Sequence, residues 1–255
     1  MDILTGISLF SGAGGLDIAA KQCGIRTVCY VENDRYAQAV LMSRIRSGDL
    51  HDAPIWDDVK TFDGKPFSGK VDIIFGGFPC QDISVAGKGA GIKDGQKSGL
   101  WKEFNRIVCE IRPRFIVVEN VPALISRGID IVLGNLAQNG YDAEWEMLSA
   151  CSVGAPHMRK RVFIVAYPRS QRWGGMENKN ESHEHPSVPL AKFFGSPRDE
   201  ANLSVLMVQQ IRSPSPGVHR VDDGLAEELD RFRLCGNGVV PQVAIKVFEK
   251  IISRL

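Results

Sequence analysis

The chain has 255 residues, of which 44% are hydrophobic and 24% are charged, a composition typical of a globular protein that buries a sizeable core. The 31 Lys and Arg residues nearly balance the 30 Asp and Glu residues, so any contact with nucleic acid must come from locally clustered charge. Apolar runs such as residues 162–166 are much shorter than the roughly 20 residues that cross a bilayer. No secretion signal is visible, so we expect a cytoplasmic protein.

Two units of strand and helix open the predicted fold. Residues 4–9 predict a short buried strand, which a glycine-rich turn and a helix through Cys23 follow. Residues 27–31 predict a second strand, and residues 35–46 carry apolar side chains at helical spacing.

Two further aliphatic runs, residues 71–75 and 115–118, are typical of parallel strands that are covered on both faces. Residues 100–111 predict the helix between them. Strands that alternate with helices of about ten residues favour an α/β fold with a doubly wound, mostly parallel sheet. Because such sheets bind ligands at the carboxyl ends of their strands, we expect the functional residues there.

The chain changes character after a strand predicted over residues 161–167. Residues 166–220 hold six of the 13 prolines and three of the five histidines, and their periodicity fades, which indicates a small irregular lobe or an insertion. Residues 242–255 place apolar side chains on one helical face, so this last helix should pack back on the α/β body. The predicted organisation is an α/β domain at residues 1–165, a small target-recognition region at 166–230 and a returning segment at 231–255.

Glycines follow the first strand, where a ligand can approach the backbone. Gly12, Gly14 and Gly15 lie at a strand-to-helix turn beside the unpaired N–H groups of a helix amino terminus. Glu32 ends the second strand, where a carboxylate accepts hydrogen bonds from ribose hydroxyls, and Asp58 can accept from an adenine amino group. Because the turn lacks the third glycine of a dinucleotide fingerprint, we predict an adenosine pocket without a pyrophosphate. A tight turn beside solvent-facing carboxylates is the alternative.

A cysteine and a glutamate follow the next two predicted strands. Cys80 and Glu119 should both lie at the sheet edge that holds the glycine turn. A hydrolase would pair a thiol with a histidine base, whereas a carboxyl group suits holding a proton for a ring nitrogen. The six cysteines include no Cys-x-x-Cys pair, so we predict neither a zinc site nor a dense disulfide framework, and no metal.

Five segments of the chain resemble motifs of the DNA cytosine-5 methyltransferase family of bacteria and phages. They are FSGAGGLD at residues 10–17, GGFPCQ at 76–81, ENV at 119–121, HMRKRVF at 157–163 and GNGVVP at 236–241. The resemblance covers most of residues 4–165 and 231–255. It implies the fold of S-adenosylmethionine-dependent methyltransferases, and transfer of a methyl group from that cofactor to C5 of a cytosine flipped out of duplex DNA.

The resemblance also implies roles for individual residues. Cys80 would add to C6 of the cytosine, Glu119 would hold the proton at N3, and Arg159 would contact O2. Arg159 and Arg161 would favour the Cys80 thiolate. The implied cofactor contacts are Phe10, Ser11, Gly12, Ala13, Gly14, Gly15, Leu16, Glu32, Asn33, Asp58, Val59, Gly77, Pro79, Leu100, Asn237 and Val239.

We expect the DNA contacts in two segments. Residues 81–100 are basic and rich in glycine, so Lys88, Lys93 and Lys97 should bind phosphates, with Gln81 and Ser84 nearby. Arg169 and Arg172 should reach base edges.

Two features depart from the pattern of the family. His157 stands where the family usually has glutamine, and no clear copy of the family's leucine-rich segment precedes residue 236. One alternative is a relative that methylates cytosine in transfer RNA, because its catalytic segments look similar. The other is a catalytically inactive DNA-binding relative. We expect a monomer whose partners are duplex DNA and a companion restriction nuclease.

Overall fold

The computed structural model describes residues 3–79, 99–171, 234 and 238–255. Strands and helices alternate along these ranges. The elements are β1 (Thr5–Leu9), α1 (Gly15–Gln22), β2 (Arg26–Val31), α2 (Arg35–Arg46), β3 (Ile55–Trp56), β4 (Ile73–Gly76), α3 (Gly99–Ile111), β5 (Phe115–Asn120), α4 (Leu124–Arg127), α5 (Ile129–Gln138), β6 (Tyr141–Ser149), β7 (Lys160–Pro168) and α6 (Pro241–Ile252). Short 3-10 helices lie at Lys65–Phe67, Ala150–Val153 and Arg169–Gln171.

The strands of the described ranges form one sheet in the order β3-β2-β1-β4-β5-β7-β6. The first five strands in that order pair in parallel, whereas β7 runs antiparallel to both β5 and β6. Consequently β1, β2, β4 and β5 end at one edge, here called the carboxyl edge, and β7 begins there. The prediction of an α/β fold with a mostly parallel sheet is confirmed.

Both faces of the sheet are buried. Alternate residues of β5 enter different clusters: Ile116 and Val118 pack on the face covered by α3 and α5, while Phe115 and Val117 pack on the face covered by α1 and α6. The aliphatic runs in the sequence therefore reflect strands without a solvent-facing side. The prediction that the last helix packs back on the α/β body is also confirmed.

No helix within residues 3–79, 99–171 and 238–255 is long and apolar enough to cross a membrane. The predicted target-recognition region lies outside the described residues beyond position 171.

A buried carboxyl group lies on the first turn of α1. Asp17 is fully buried, and its Oδ2 accepts a hydrogen bond from the Ser8 hydroxyl of β1 at 3.0 Å. The Thr27 hydroxyl of β2 lies 3.5 Å from its Oδ1. Burial is the main cause that raises the pKa of Asp17 to about 7, although both hydroxyls and Arg44 favour the charged form. Asp17 thus joins α1 to two strands with a group that ionises near neutral pH.

We expect the stability of the protein to fall with rising pH partly through Asp17. The folded state binds the proton of Asp17 more tightly than the unfolded state does. The contribution of this proton to stability is therefore complete below about pH 4 and is lost as pH rises through about 7. The side chain of Asp17→Asn stays neutral at both pH values. The free energy of unfolding of this variant should therefore fall by about 2 kcal/mol less than that of the wild type between pH 5 and pH 8. Urea unfolding of both proteins at the two pH values measures this difference. An equal pH dependence in the variant would contradict the assignment.

Candidate active site

The glycine turn between β1 and α1 has an unusual backbone. Phe10, Gly12 and Gly14 have positive φ angles of 54°, 55° and 78°. Two glycines adopt this conformation without steric strain, whereas Phe10 pays a conformational penalty that its surroundings must offset. A Cβ on Gly14 would lie 2.8 Å from a methyl group of Leu50, so this position has no room for a side chain.

The closing segment of the chain packs against the same turn. A Cβ on Gly15 would lie 2.9 Å from a methyl group of Val239 and 3.0 Å from its carbonyl oxygen. Val239 and Gly238 also line the cleft described below. The structure therefore brings two motifs together that are more than 200 residues apart in the sequence.

Glu32 holds two backbone segments at the end of β2. Its Oε2 accepts a hydrogen bond from the Gly12 N–H at 2.7 Å, and its Oε1 accepts one from the Asp34 N–H at 2.8 Å. Each carboxylate oxygen can accept a further bond, so Glu32 remains able to bind a ribose hydroxyl. Its role in fixing the turn was not predicted from the sequence.

A continuous cleft of about 460 Å³ runs from the glycine turn to the end of β5 along the carboxyl edge. Its position agrees with the expectation for a doubly wound sheet. The lining residues are Phe10, Ser11, Gly12, Ala13, Gly15, Leu16, Glu32, Asn33, Asp34, Ala37, Gly77, Phe78, Pro79, Glu119, Asn120, Val121, Arg161, Leu234, Gly238 and Val239.

Glu119 lies at the far end of this cleft and is buried. The Nε of Arg161 is 2.8 Å from its Oε1, which forms an ion pair between β5 and β7. Burial raises the pKa of Glu119 to about 7, even though Arg161 and Arg159 favour the carboxylate. The carboxyl group can therefore both give and accept a proton near neutral pH.

Gly77 leaves the space that this carboxyl group occupies. A Cβ at Gly77 would lie 2.6 Å from Oε2 of Glu119. Since Oε1 faces Arg161, the two oxygens have different neighbours: a cation for one and the Gly77 backbone for the other. Any larger residue at position 77 would have to displace the carboxyl group.

Asn120 connects the end of β5 to the segment that follows β4. This buried side chain donates a hydrogen bond from Nδ2 to the Phe78 carbonyl at 3.2 Å, and its Oδ1 accepts one from the Val121 N–H at 2.8 Å. Pro79, the next residue, lines the cleft and directly precedes Cys80. The sequence motif contained Asn120, but nothing in the sequence assigned it this contact.

Arg159 has a different neighbour from Arg161. Its guanidinium donates a hydrogen bond to the Gly238 carbonyl of the closing segment. The two arginines therefore anchor two different parts of the cleft, the closing segment and Glu119. The predicted contact of Arg159 with a cytosine O2 stays a prediction.

Arg169 lies away from the cleft. Because β7 begins at the carboxyl edge, its end at Pro168 and the adjacent Arg169 lie at the opposite edge of the sheet. The Arg169 side chain is 3.1 Å from Asp142 and donates to the Ala137 carbonyl at 3.0 Å. These contacts hold the end of α5 against β6. The predicted contact of Arg169 with base edges stays a prediction.

Four of the predicted cofactor residues do not line the cleft: Gly14, Asp58, Val59 and Leu100. Asp58 accepts a hydrogen bond from the Lys60 N–H at 2.9 Å within a turn, Val59 is buried in the core, and Leu100 packs at the border of the same core. The predicted residues outside the described part of the chain are Cys80, Gln81, Ser84, Lys88, Lys93, Lys97, Arg172 and Asn237.

Comparison with known families supports the sequence resemblance. The sequence model of the C-5 cytosine-specific DNA methylase family matches residues 4–213. The type II methyltransferase M.PspPI of Psychrobacter is 35% identical over 164 residues, which cover 62% of this chain and 38% of that protein. M.AquIA of Picosynechococcus is 33% identical over 176 residues, 62% of this chain and 70% of that protein. The chain spans about two fifths of the length of several of these curated relatives, M.PspPI among them.

Two solved structures share the fold. A structure described as a DNA modification methyltransferase of an E. coli prophage has 28% identity and a TM-score of 0.54, over 68% of this chain and 49% of that one. A variant of DNMT2 from Spodoptera frugiperda has a TM-score of 0.64 over 98% of this chain and 99% of that one. Its identity of 14% makes it a likeness of fold alone.

Proposed function

The chain belongs to the C-5 cytosine-specific DNA methylase family, and from this membership we propose that it is a DNA (cytosine-5)-methyltransferase that uses S-adenosylmethionine. The observation that carries the proposal is the continuous cleft, which joins the glycine turn and Glu32 to Glu119 and Arg161. A methyl donor at the turn and a cytosine at Glu119 would meet within this cleft.

The residues at the turn fit the adenosine of S-adenosylmethionine. Where a Cβ of Gly12 would lie, the nearest atom is a carbonyl oxygen at 4.0 Å, so this side of the turn is open to a ligand. Glu32 borders the same space with acceptors that suit ribose hydroxyls. When bound, S-adenosylmethionine would supply an electrophilic methyl group.

The protein would make C5 of the cytosine nucleophilic. In this mechanism the Cys80 thiolate adds to C6 while Glu119 holds the proton at N3, which breaks the aromaticity of the ring. After C5 has gained the methyl group it loses its proton, and the sulfur leaves C6. The base must be flipped out of the duplex to enter the cleft.

Arg161 would position Glu119 for this proton. The guanidinium binds Oε1 and leaves Oε2 beside Gly77. With a pKa of about 7, Glu119 carries its proton in a large share of molecules at neutral pH. An ordinary carboxyl group would be almost entirely ionised there.

Methyl transfer from labelled S-adenosylmethionine to unmethylated genomic DNA tests the proposed function. We expect label in DNA, located at C5 of cytosines by bisulfite sequencing. Label in transfer RNA alone would identify an RNA methyltransferase. Binding of cofactor and DNA with no transfer to either nucleic acid would identify an inactive relative.

Duplex DNA as substrate also suggests a location and a partner. We propose that the protein acts in the cytoplasm, where cellular DNA is accessible. Several relatives are type II methyltransferases, so we further propose a companion restriction nuclease that recognises the same site.

Glu32→Ala should weaken S-adenosylmethionine binding by about 10- to 100-fold. The variant loses the acceptors proposed for ribose, and it also leaves the Gly12 N–H without its partner. DNA affinity should change little. Titration calorimetry with the cofactor and a DNA-binding assay measure the two effects.

Glu103→Ala is a matched control for this experiment, because Glu103 pairs with Arg106 on α3 and does not line the cleft. The control should bind the cofactor as the wild type does. Unchanged cofactor affinity in Glu32→Ala would remove Glu32 from the proposed site.

A further inference from the structure

Arg44 reaches the glycine turn from a distant helix. It lies in the last turn of α2, and its guanidinium donates a hydrogen bond to the Ala13 carbonyl at 2.6 Å. Ala13 lies between Gly12 and Gly14, both of which have positive φ angles. The contact therefore fixes the peptide at the centre of the turn with a charged donor.

Two hydrogen bonds hold that peptide. Its N–H, which belongs to Gly14, donates to the Ser11 carbonyl at 2.8 Å, and its carbonyl accepts from Arg44. Glycine tolerates both orientations of an adjacent peptide group, so the peptide could flip at low steric cost without these bonds. A hydrogen bond from a charged donor to the carbonyl stabilises one orientation more strongly than a neutral donor would. The positive φ of Phe10 adds strain that the surrounding contacts must also offset.

The segment after α2 holds Arg44 in place and supports the turn a second time. The Arg44 carbonyl accepts hydrogen bonds from the N–H groups of Asp49 at 2.9 Å and Leu50 at 3.1 Å. Leu50 then fills the space beside Gly14, where a Cβ would lie only 2.8 Å from its methyl group. Arg44 and Leu50 thus contact consecutive residues of the turn from one folded unit.

The turn is bound from its other sides as well. Glu32 accepts from the Gly12 N–H, and Asp17 anchors the start of α1 to Ser8. Among these described contacts, the hydrogen bond from Arg44 to Ala13 is the one in which a side chain donates to a carbonyl group of the turn. It does not line the cleft, so it acts on a ligand through the turn.

We propose that Arg44 is a positioning residue for S-adenosylmethionine, because its hydrogen bond to Ala13 holds the glycine turn in the shape that binds the cofactor. This inference rests on the proposed function for the identity of the ligand. The methyl-transfer step itself would depend on residues at the other end of the cleft.

Arg44→Met tests the proposal, because methionine keeps the apolar stem and removes the donors. We expect the dissociation constant of S-adenosylmethionine to rise about 10- to 100-fold, while kcat at saturating cofactor stays within about twofold of the wild type. Arg44→Lys keeps a charged donor and should restore most of the affinity. Arg46→Met is the matched control, since Arg46 is exposed in the same turn of α2 and should leave the affinity unchanged.

Hydrogen exchange in the ligand-free protein gives a second measurement. Arg44→Met should accelerate exchange at the amides of Gly12 and Gly14, while the interior of α2 keeps its protection. An affinity within twofold of the wild type would overturn the proposal. So would faster exchange spread along the whole of α2, because Arg44 would then only support the helix.

The same experiment separates this inference from the proposed function. If the wild type itself binds no S-adenosylmethionine, the proposed cofactor is wrong, and with it the role of Arg44 in binding that cofactor. If the wild type binds it and Arg44→Met binds it equally well, only the role of Arg44 is wrong.

Discussion

Glu119→Gln is expected to lower the rate of methyl transfer by about 10²-fold or more while S-adenosylmethionine binds normally. Glutamine keeps the size of the side chain, but it cannot give a proton to N3 of the cytosine. It also weakens the ion pair with Arg161, because the amide carries no charge. Single-turnover transfer from labelled cofactor measures the chemical step, and titration calorimetry measures cofactor binding.

The pH dependence of this rate should change with the variant. Burial raises the pKa of Glu119 to about 7, so the share of molecules that can donate the proton falls as pH rises through that value. Ionisation of the Cys80 thiol acts in the opposite direction, since it increases with pH. The wild-type rate should therefore pass through a maximum, whereas the low rate of Glu119→Gln should continue to rise.

Glu110→Gln provides the control for the loss of an ion-paired carboxylate. Glu110 forms an ion pair with Arg106 at 2.7 Å on α3, and neither residue lines the cleft. Its variant should keep the wild-type rate and pH profile. Full activity in Glu119→Gln would exclude Glu119 as the acid. A rate that still falls at high pH in this variant would exclude it as well.

The central strands were predictable because they are buried on both faces. The runs at residues 73–75 and 115–118 are continuous in apolar residues, and the structure places β4 and β5 there. The helix over residues 100–111 was equally clear, since its buried residues recur at helical spacing. In each case the local sequence carries the whole signal.

Four strands and α-helices of the described residues were not predicted: β3, α4, α5 and β6. β3 has only two residues, which is too short for a periodic signal. β6 does alternate, with Tyr141, Ala143 and Trp145 separated by acidic residues, and this pattern could have identified it as an edge strand. α5 is an apolar segment that also went unassigned.

The contacts within the site could be predicted only in part. Motif order indicated that the glycine turn, Glu32 and Glu119 would meet at one edge, and they do line one cleft. The ion pair between Glu119 and Arg161 depends on the antiparallel register of β5 and β7, which no local pattern contains. The same antiparallel direction places Arg169 at the opposite edge of the sheet, which no local pattern indicates either.

Cys80→Ser is expected to abolish the covalent adduct with DNA that carries 5-fluorocytosine at the target. Fluorine at C5 blocks the final elimination, so the wild type should form an adduct that survives denaturation. A serine hydroxyl is not ionised at neutral pH, whereas a few per cent of an ordinary thiol is, and neighbouring cations increase that share. Methyl transfer to ordinary DNA should fall by about 10³-fold or more.

The described residues that precede Cys80 in the sequence support this prediction. Asn120 binds the Phe78 carbonyl, and Pro79 lines the cleft that also holds Glu119. Cys151 is the matched control, because it follows β6 at the carboxyl edge and its sulfur lies 3.0 Å from the Ser149 hydroxyl. Gel electrophoresis under denaturing conditions should show the adduct with Cys151→Ser and the wild type, and none with Cys80→Ser. An adduct that persists in Cys80→Ser would mean that a different residue is the nucleophile.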